Sequence, residues 1–258
     1  MAYIQRDGAA IYYEAHGSGP AILLTHGYAA TTRMWAPQLD LLTPDRQVIL
    51  WDMRGHGQSD SPDDPALYSE AATVADMAAI LDAVGAEKAI IGGHSLGGYM
   101  SMAFHLRHPA RVSALLLCGA GPGYRKDESR EAWNVIAVGL GDDIERGGLE
   151  QLDRHSVEMA PRDHRSAAGL AKAARGMLTQ RDGRVIASLG SIAVPTLVTV
   201  GGEDESYLAG TQYLAAKIAD ADYAVFEGAG HAANVDRPAE FNAVLARFLR
   251  ERVTPRGA

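Results

Sequence analysis

Short runs of almost continuous apolar residues alternate along this chain with stretches in which apolar residues recur every three to four positions. The runs Ala21–Thr25, Gln47–Trp51, Ala89–Ile91 and Val112–Leu117 are apolar at successive rather than alternate positions. That is the pattern of strands covered on both faces in a parallel sheet. Two further runs, Thr196–Val200 and Tyr223–Phe226, come late in the chain. Between strands, Val74, Met77, Leu81 and Val84 mark one helical face that stops at Gly85. Gly98–Leu106 reads as a helix, and a last helix starts near Pro238 and carries Phe241, Val244, Leu245 and Phe248. At the N-terminus, Tyr3–Arg6 and Ala10–Glu14 flank Asp7-Gly8, a hairpin turn dipeptide. The pattern predicts an α/β fold with a mostly parallel sheet.

The alternation breaks between Pro122 and Ser191, where no convincing strand occurs and helical patches such as Ala167–Ala174 stand among Arg and Asp residues. We read residues 122–191 as a helical cap inserted into a core made of residues 1–121 and 192–258. Ligands of open α/β sheets bind at the carboxyl edge of the strands, so an insertion there serves as a lid. Residues 254–258 read as a frayed tail.

Composition narrows the class. Of 258 residues, 47% are apolar and 22% charged, as in ordinary globular proteins, and the net charge of −8 argues against nonspecific nucleic-acid binding. No apolar run approaches the ~20 residues that cross a bilayer, and the N-terminus has no charged-then-apolar leader pattern. The single cysteine, Cys118, lies in the apolar run Ala114–Cys118 and reads as a core thiol. These features predict a cytoplasmic protein acting on a small molecule, with neither nucleic acid nor membrane as partner; monomer and homodimer both stay open. No His, Asp or Glu grouping has metal-ligand spacing, and Gly119–Gly123 lacks the phosphate-loop pattern. Neither a metal nor a cofactor is expected.

The candidate chemistry centres on Gly93-His94-Ser95-Leu96-Gly97, directly after an apolar run and before a helix. This is the pattern of a nucleophile elbow: a strand turns sharply into a helix and leaves a serine exposed at the bend, with the following amide aimed at the same point. A serine hydroxyl needs a base oriented by a carboxylate. Nine histidines compete for that role. His26 and His56 sit in glycine-rich turns and read as structural, while His94 is expected to point away from Ser95. His105 and His108 fall on the following helix; His16, His155 and His164 have no strand-end setting. His231, in Glu227-Gly228-Ala229-Gly230-His231 after the last strand, is the candidate base. Asp204, after Gly201-Gly202-Glu203 at the end of another strand, is the candidate carboxylate, with Glu203 and Glu205 as rivals. The order Ser95, Asp204, His231 is the order the elbow architecture uses. The second amide of an oxyanion hole is expected from Tyr28 in His26-Gly27-Tyr28, beside that of Leu96. The Tyr28 ring either caps the pocket or packs in the core. Trp133, Met159, Met177 and Leu178 are apolar candidates for the pocket roof.

With these pieces assembled, the chain resembles the α/β-hydrolase superfamily. The resemblance rests on His26-Gly27-Tyr28, Asp52-Met53-Arg54-Gly55-His56-Gly57-Gln58-Ser59-Asp60, Gly93-His94-Ser95-Leu96-Gly97-Gly98, Gly201-Gly202-Glu203-Asp204 and Gly230-His231-Ala232-Ala233-Asn234. It implies an eight-stranded sheet, a helical cap, no cofactor and an acyl-enzyme route. Dehalogenases and epoxide hydrolases of this fold use aspartate at the elbow, where this chain has Ser95. Hydrolases that cleave carbon–carbon bonds usually carry tryptophan soon after the histidine, where this chain has Ala232-Ala233-Asn234. The resemblance therefore favours a carboxylesterase or enol-lactonase activity on small-to-medium acyl substrates. Carbon–carbon bond hydrolases, perhydrolases and triad-retaining receptors are the alternatives.

Overall fold

The computed structural model describes residues 1–154, 158–159 and 161–253. Eight strands form one sheet in the order β1-β2-β4-β3-β5-β6-β7-β8. They are β1 (Ala2–Arg6), β2 (Ala9–His16), β3 (Ala21–Thr25), β4 (Gln47–Trp51), β5 (Ala89–His94), β6 (Val112–Cys118), β7 (Thr196–Gly201) and β8 (Ala221–Phe226). β1 and β2 pair antiparallel, as do β2 and β4, and every pair from β4 onward is parallel. The β1–β2 turn has positive φ at both Asp7 (50°) and Gly8 (77°), the backbone that a tight two-residue hairpin requires.

The central strands explain their own composition. β3 and β5 are buried at every position, and each faces an apolar layer on both sides. One layer holds Ile49, Trp51, Ile91 and Leu115 against α2 (Glu70–Ala83, following α1 at Ala36–Leu42) and α3 (Leu96–Arg107). The other holds Ile22, Leu24, Val48 and Leu116 against Phe241, Leu245 and Phe248 of a C-terminal helix. Edge strand β8 is half-buried at its first four positions, so its first residues carry a weaker apolar pattern than the strand they belong to. A buried ion pair locks the hairpin to α2: Arg54 donates to both carboxylate oxygens of Asp76 at 2.7 and 2.8 Å, both side chains being fully buried. Arg54 also reaches Asp7 in the hairpin turn at 3.1 Å. Removing either partner would leave a buried charge uncompensated, at about 3–5 kcal/mol.

The connection from β6 to β7 is the longest in the chain and contains no strand among its described residues. It carries α4 (Asp127–Gly147), α5 (Ala167–Ala173) and α6 (Arg184–Ser188). The last sequence-adjacent helices are α7 (Glu205–Lys217), α8 (Ala233–Asp236) and α9 (Pro238–Phe248). The β6–β7 segment is pinned to the sheet side by backbone contacts. Tyr28 donates its phenol proton to the Leu170 carbonyl (2.9 Å), and His164 bridges the Gly57 amide (3.1 Å) and the Ala29 carbonyl (2.7 Å). Cys118 is buried, and burial pushes its thiol up to about 12, so it is an inert core group. Among the described residues no helix is long and apolar enough to cross a membrane.

Candidate active site

β5 ends at His94, and α3 begins at Leu96. Ser95 between them has φ 52° and ψ −114°, one of three non-glycine residues with positive φ among those described. Such a conformation costs on the order of 1–3 kcal/mol and persists only where its surroundings dictate it. Two glycines do so here. A Cβ on Gly93 would collide with the Gly97 backbone, and a Cβ on Gly97 would collide with the Thr25 carbonyl at the end of β3. The tight turn brings the N-terminus of α3, with its unpaired first-turn amides, against the loop that follows β3. The Leu96 amide belongs to that turn, and Tyr28 lies in the facing loop.

His231 sits in the loop after β8. Its Nδ1 lies 2.7 Å from Oδ2 of Asp204, which is 8% exposed at the end of β7. The rivals Glu203 and Glu205 are exposed, so the backbone turn after β7 presents the middle carboxylate of the three to the histidine. The two loops are laced together: Gly202 donates to Phe226 O (2.8 Å) and Glu203 to Ala229 O (3.0 Å). A Cβ on Gly201 would meet the 229–230 backbone. A carboxylate on Nδ1 requires the proton there and leaves Nε2 as the basic nitrogen.

Two neighbours of His231 were not foreseen. The phenol of Tyr207, on α7, lines the same cavity as Ser95, and its ring lies 4.5 Å from that of His231. Burial raises the pKa of this phenol, so it stays protonated. Tyr207 falls one turn after Asp204 on a helix that sequence periodicity did not single out, so no local signal marked it. His94 packs against His231. Its ring lies 4.5 Å from the His231 ring, and its Nε2–H donates to the His231 carbonyl at 2.9 Å. Burial drives its pKa well below the ordinary histidine value.

A cavity of about 520 Å³ opens beside Ser95 and Leu96. Trp133, Met177 and Leu178 line it from the β6–β7 segment, and Tyr99, Tyr207 and Tyr213 from the sheet side. Met159 does not line this cavity; it packs against the apolar core. The Tyr28 ring also packs in the core, edge-on to His56, with its hydroxyl taken by Leu170 as above. The structural histidines behave as their setting implies: His26 accepts from the Met53 amide (2.9 Å) and donates to Gly27 O (2.6 Å). His155 lies outside the described residues, as does the 254–258 tail.

Comparison with known proteins agrees with this geometry. A family model described as the alpha/beta hydrolase fold matches residues 20–143. A 2-hydroxymuconate semialdehyde hydrolase of Pseudomonas sp. (strain CF600) is 30% identical over 252 residues, 92% of this chain and 85% of that protein. A 3-oxoadipate enol-lactonase of Acinetobacter baylyi is 28% identical over 262 residues, 95% of both chains. The crystal structure of an enol-lactonase from Burkholderia xenovorans LB400 superposes with a TM-score of 0.78 at 27% identity, covering 96% of this chain and all of that one. The chain belongs to the α/β-hydrolase superfamily, and it is an enzyme of the hydrolase type.

Proposed function

We propose that this enzyme hydrolyses carboxylic esters or lactones of small-to-medium acyl groups through an acyl-enzyme on Ser95. The observation that carries the reading is the 2.7 Å contact between His231 Nδ1 and the buried Asp204 carboxylate, beside a serine held at an elbow. In this reading Ser95 Oγ attacks the carbonyl carbon while His231 Nε2 takes its proton. Asp204 holds the imidazole in the required tautomer and stabilises the imidazolium. The Leu96 and Tyr28 amides hold the oxyanion. His231 then protonates the leaving oxygen, and water activated by the same nitrogen releases the acid and frees Ser95.

Residues 122–191 act as the cap over this site, with Trp133 and Met177 contacting the acyl group in the cavity. The enol-lactonase activity of the relatives from Acinetobacter baylyi and Burkholderia xenovorans supports a lactone or ester carbonyl as the target. The apolar and aromatic lining favours uncharged acyl chains, and the buried lone thiol fits a reducing cytoplasm. A series of p-nitrophenyl esters of increasing chain length, with lactones beside it, tests the reading against the Ser95→Ala variant. Serine-dependent turnover peaking at one acyl length is expected. Turnover unchanged in Ser95→Ala would reject the nucleophile. Single stoichiometric labelling without cycling would point to a receptor.

A further inference from the structure

Local spacing offers no metal-ligand motif, but the fold assembles one from three distant segments. One ring nitrogen of His94, one of His231 and one carboxylate oxygen of Glu158 lie within 4.8 Å of one another. We propose that His94, Glu158 and His231 bind a divalent transition cation of the zinc type, and that its binding switches the enzyme off by occupying His231. The cation site stands on its own geometry; the inhibitory consequence rests on the proposed role of His231 as base.

Hydrogen bonding fixes the tautomer of both histidines and leaves each one nitrogen with a lone pair. His94 Nε2 faces the His231 carbonyl, which only accepts, so the proton is on Nε2 and Nδ1 carries a lone pair. That Nδ1 is buried and has no hydrogen-bond partner among the described residues. His231 Nδ1 faces the Asp204 carboxylate, so its proton is there and Nε2 carries the lone pair. Ligating histidines characteristically hand their other N–H to a backbone carbonyl or a carboxylate, and the two partners here are one of each. The third donor is also in want of a partner. Glu158 Oε1 is buried with no hydrogen-bond partner among the described residues, a state that costs a carboxylate several kcal/mol unless a cation or donor meets it.

Two imidazoles and a carboxylate form a donor set suited to zinc and its transition-metal neighbours rather than to magnesium or calcium, which take oxygen ligands. Zinc–nitrogen bonds of about 2.0–2.1 Å in a tetrahedron put ligands about 3.3 Å apart. The three groups therefore need to close by up to about 1.5 Å, through rotation of the Glu158 side chain and small shifts of the two rings. Glu158 comes from the segment between β6 and β7, whereas the histidines come from the sheet side. A bound cation would tie the two together and hold the basic nitrogen away from Ser95.

The test is titration calorimetry of zinc chloride into the purified enzyme, with magnesium chloride as the control, alongside ester turnover. The proposal expects one zinc per chain, no magnesium binding at the same concentration, and turnover falling with the same midpoint and returning on addition of EDTA. Glu158→Gln should weaken zinc binding about tenfold or more while leaving zinc-free turnover unchanged and the melting temperature no lower. His231→Asn provides the second arm and should lose the zinc equally. Zinc binding unaffected by both substitutions, or none up to millimolar concentration, would overturn the site. Binding that depends on Glu158 but leaves turnover untouched would overturn the inhibition. If no ester is turned over at all, the hydrolase reading fails, and the calorimetry still decides the cation site.

Discussion

Two clusters of histidines flank the end of β3, and they are built for opposite ends. In one, His26, His56 and His164 pack tilted and edge-on with ring centroids 4.9 and 5.9 Å apart, and their hydrogen-bonded nitrogens all meet backbone groups. Burial drives all three pKa values down, that of His26 to about 3. In the other, His94 and His231 lie 4.5 Å apart, but His231 meets a carboxylate and is 24% exposed. Ring proximity does not make a base. A carboxylate on one nitrogen and access to the other do, because the imidazolium formed in a proton transfer needs a counter-charge and the proton needs a route.

The largest effects should separate the clusters outright. Ser95→Ala and His231→Ala should each lower ester turnover by on the order of 10³-fold or more, with melting temperatures close to wild type. His164→Ala should do the reverse, costing about 1–3 kcal/mol of stability from its lost backbone bonds. Its turnover per folded molecule should stay within tenfold. Paired kinetics and denaturant melts check both, and a stable, inactive His164→Ala would erase the distinction. Asp204→Asn should reduce turnover by about 10²–10⁴-fold through the wrong tautomer, while Glu203→Gln and Glu205→Gln, being exposed, should change it less than threefold. Equal losses in all three would unseat Asp204.

The next contrast is in pH. His26, His56, His94 and His164 refuse protons in the fold that the unfolded chain accepts below about 6.5. Each therefore contributes stability that is present above that value and lost as pH falls towards its folded pKa, at up to about 1.4 kcal/mol per pH unit. Asp52, pushed up to about 6, and Asp76, also raised by burial, act in the opposite sense, but the histidines outnumber them. The melting temperature should thus fall steadily from pH 6.5 to 4.5; a flat or rising profile by calorimetry would mean that these rings are not buried neutral. The smallest effect is expected at Tyr207→Phe, which keeps the ring on His231 but removes the hydroxyl from the cavity it shares with Ser95. A loss of about 2–12-fold in kcat/KM matches one hydrogen bond of 0.5–1.5 kcal/mol, and a loss as large as that of His231→Ala would make Tyr207 part of the proton-transfer machinery.

Much of the core is legible because its signals are local. β3 and β4 match their apolar runs residue for residue, and the Asp7-Gly8 dipeptide names a turn whose φ values only such residues adopt readily. The glycines around Ser95 mark an elbow because a side chain there would overlap backbone within the same turn or the adjoining strand end. Elsewhere the signal weakens for physical reasons. β8 begins at Ala221 rather than Tyr223 because a half-buried edge strand need not be apolar at its ends. In the β6–β7 segment, apolar residues of similar type do different work: Trp133 and Met177 face the cavity, while Met159 packs on the core and its neighbour Glu158 turns towards the histidines.

The sequence by itself determined the strand pattern, the elbow at Ser95 and the chain order of serine, carboxylate and histidine, since each is written in a few adjacent residues whose backbone geometry admits little else. Only the tertiary structure decided which of Glu203, Asp204 and Glu205 meets His231, that the Tyr207 ring packs on His231, and that Glu158 faces two histidines. Those outcomes depend on loops from separate strands and on a long connection folding back over the sheet, and contacts between residues tens of positions apart leave no period or spacing in the sequence to read.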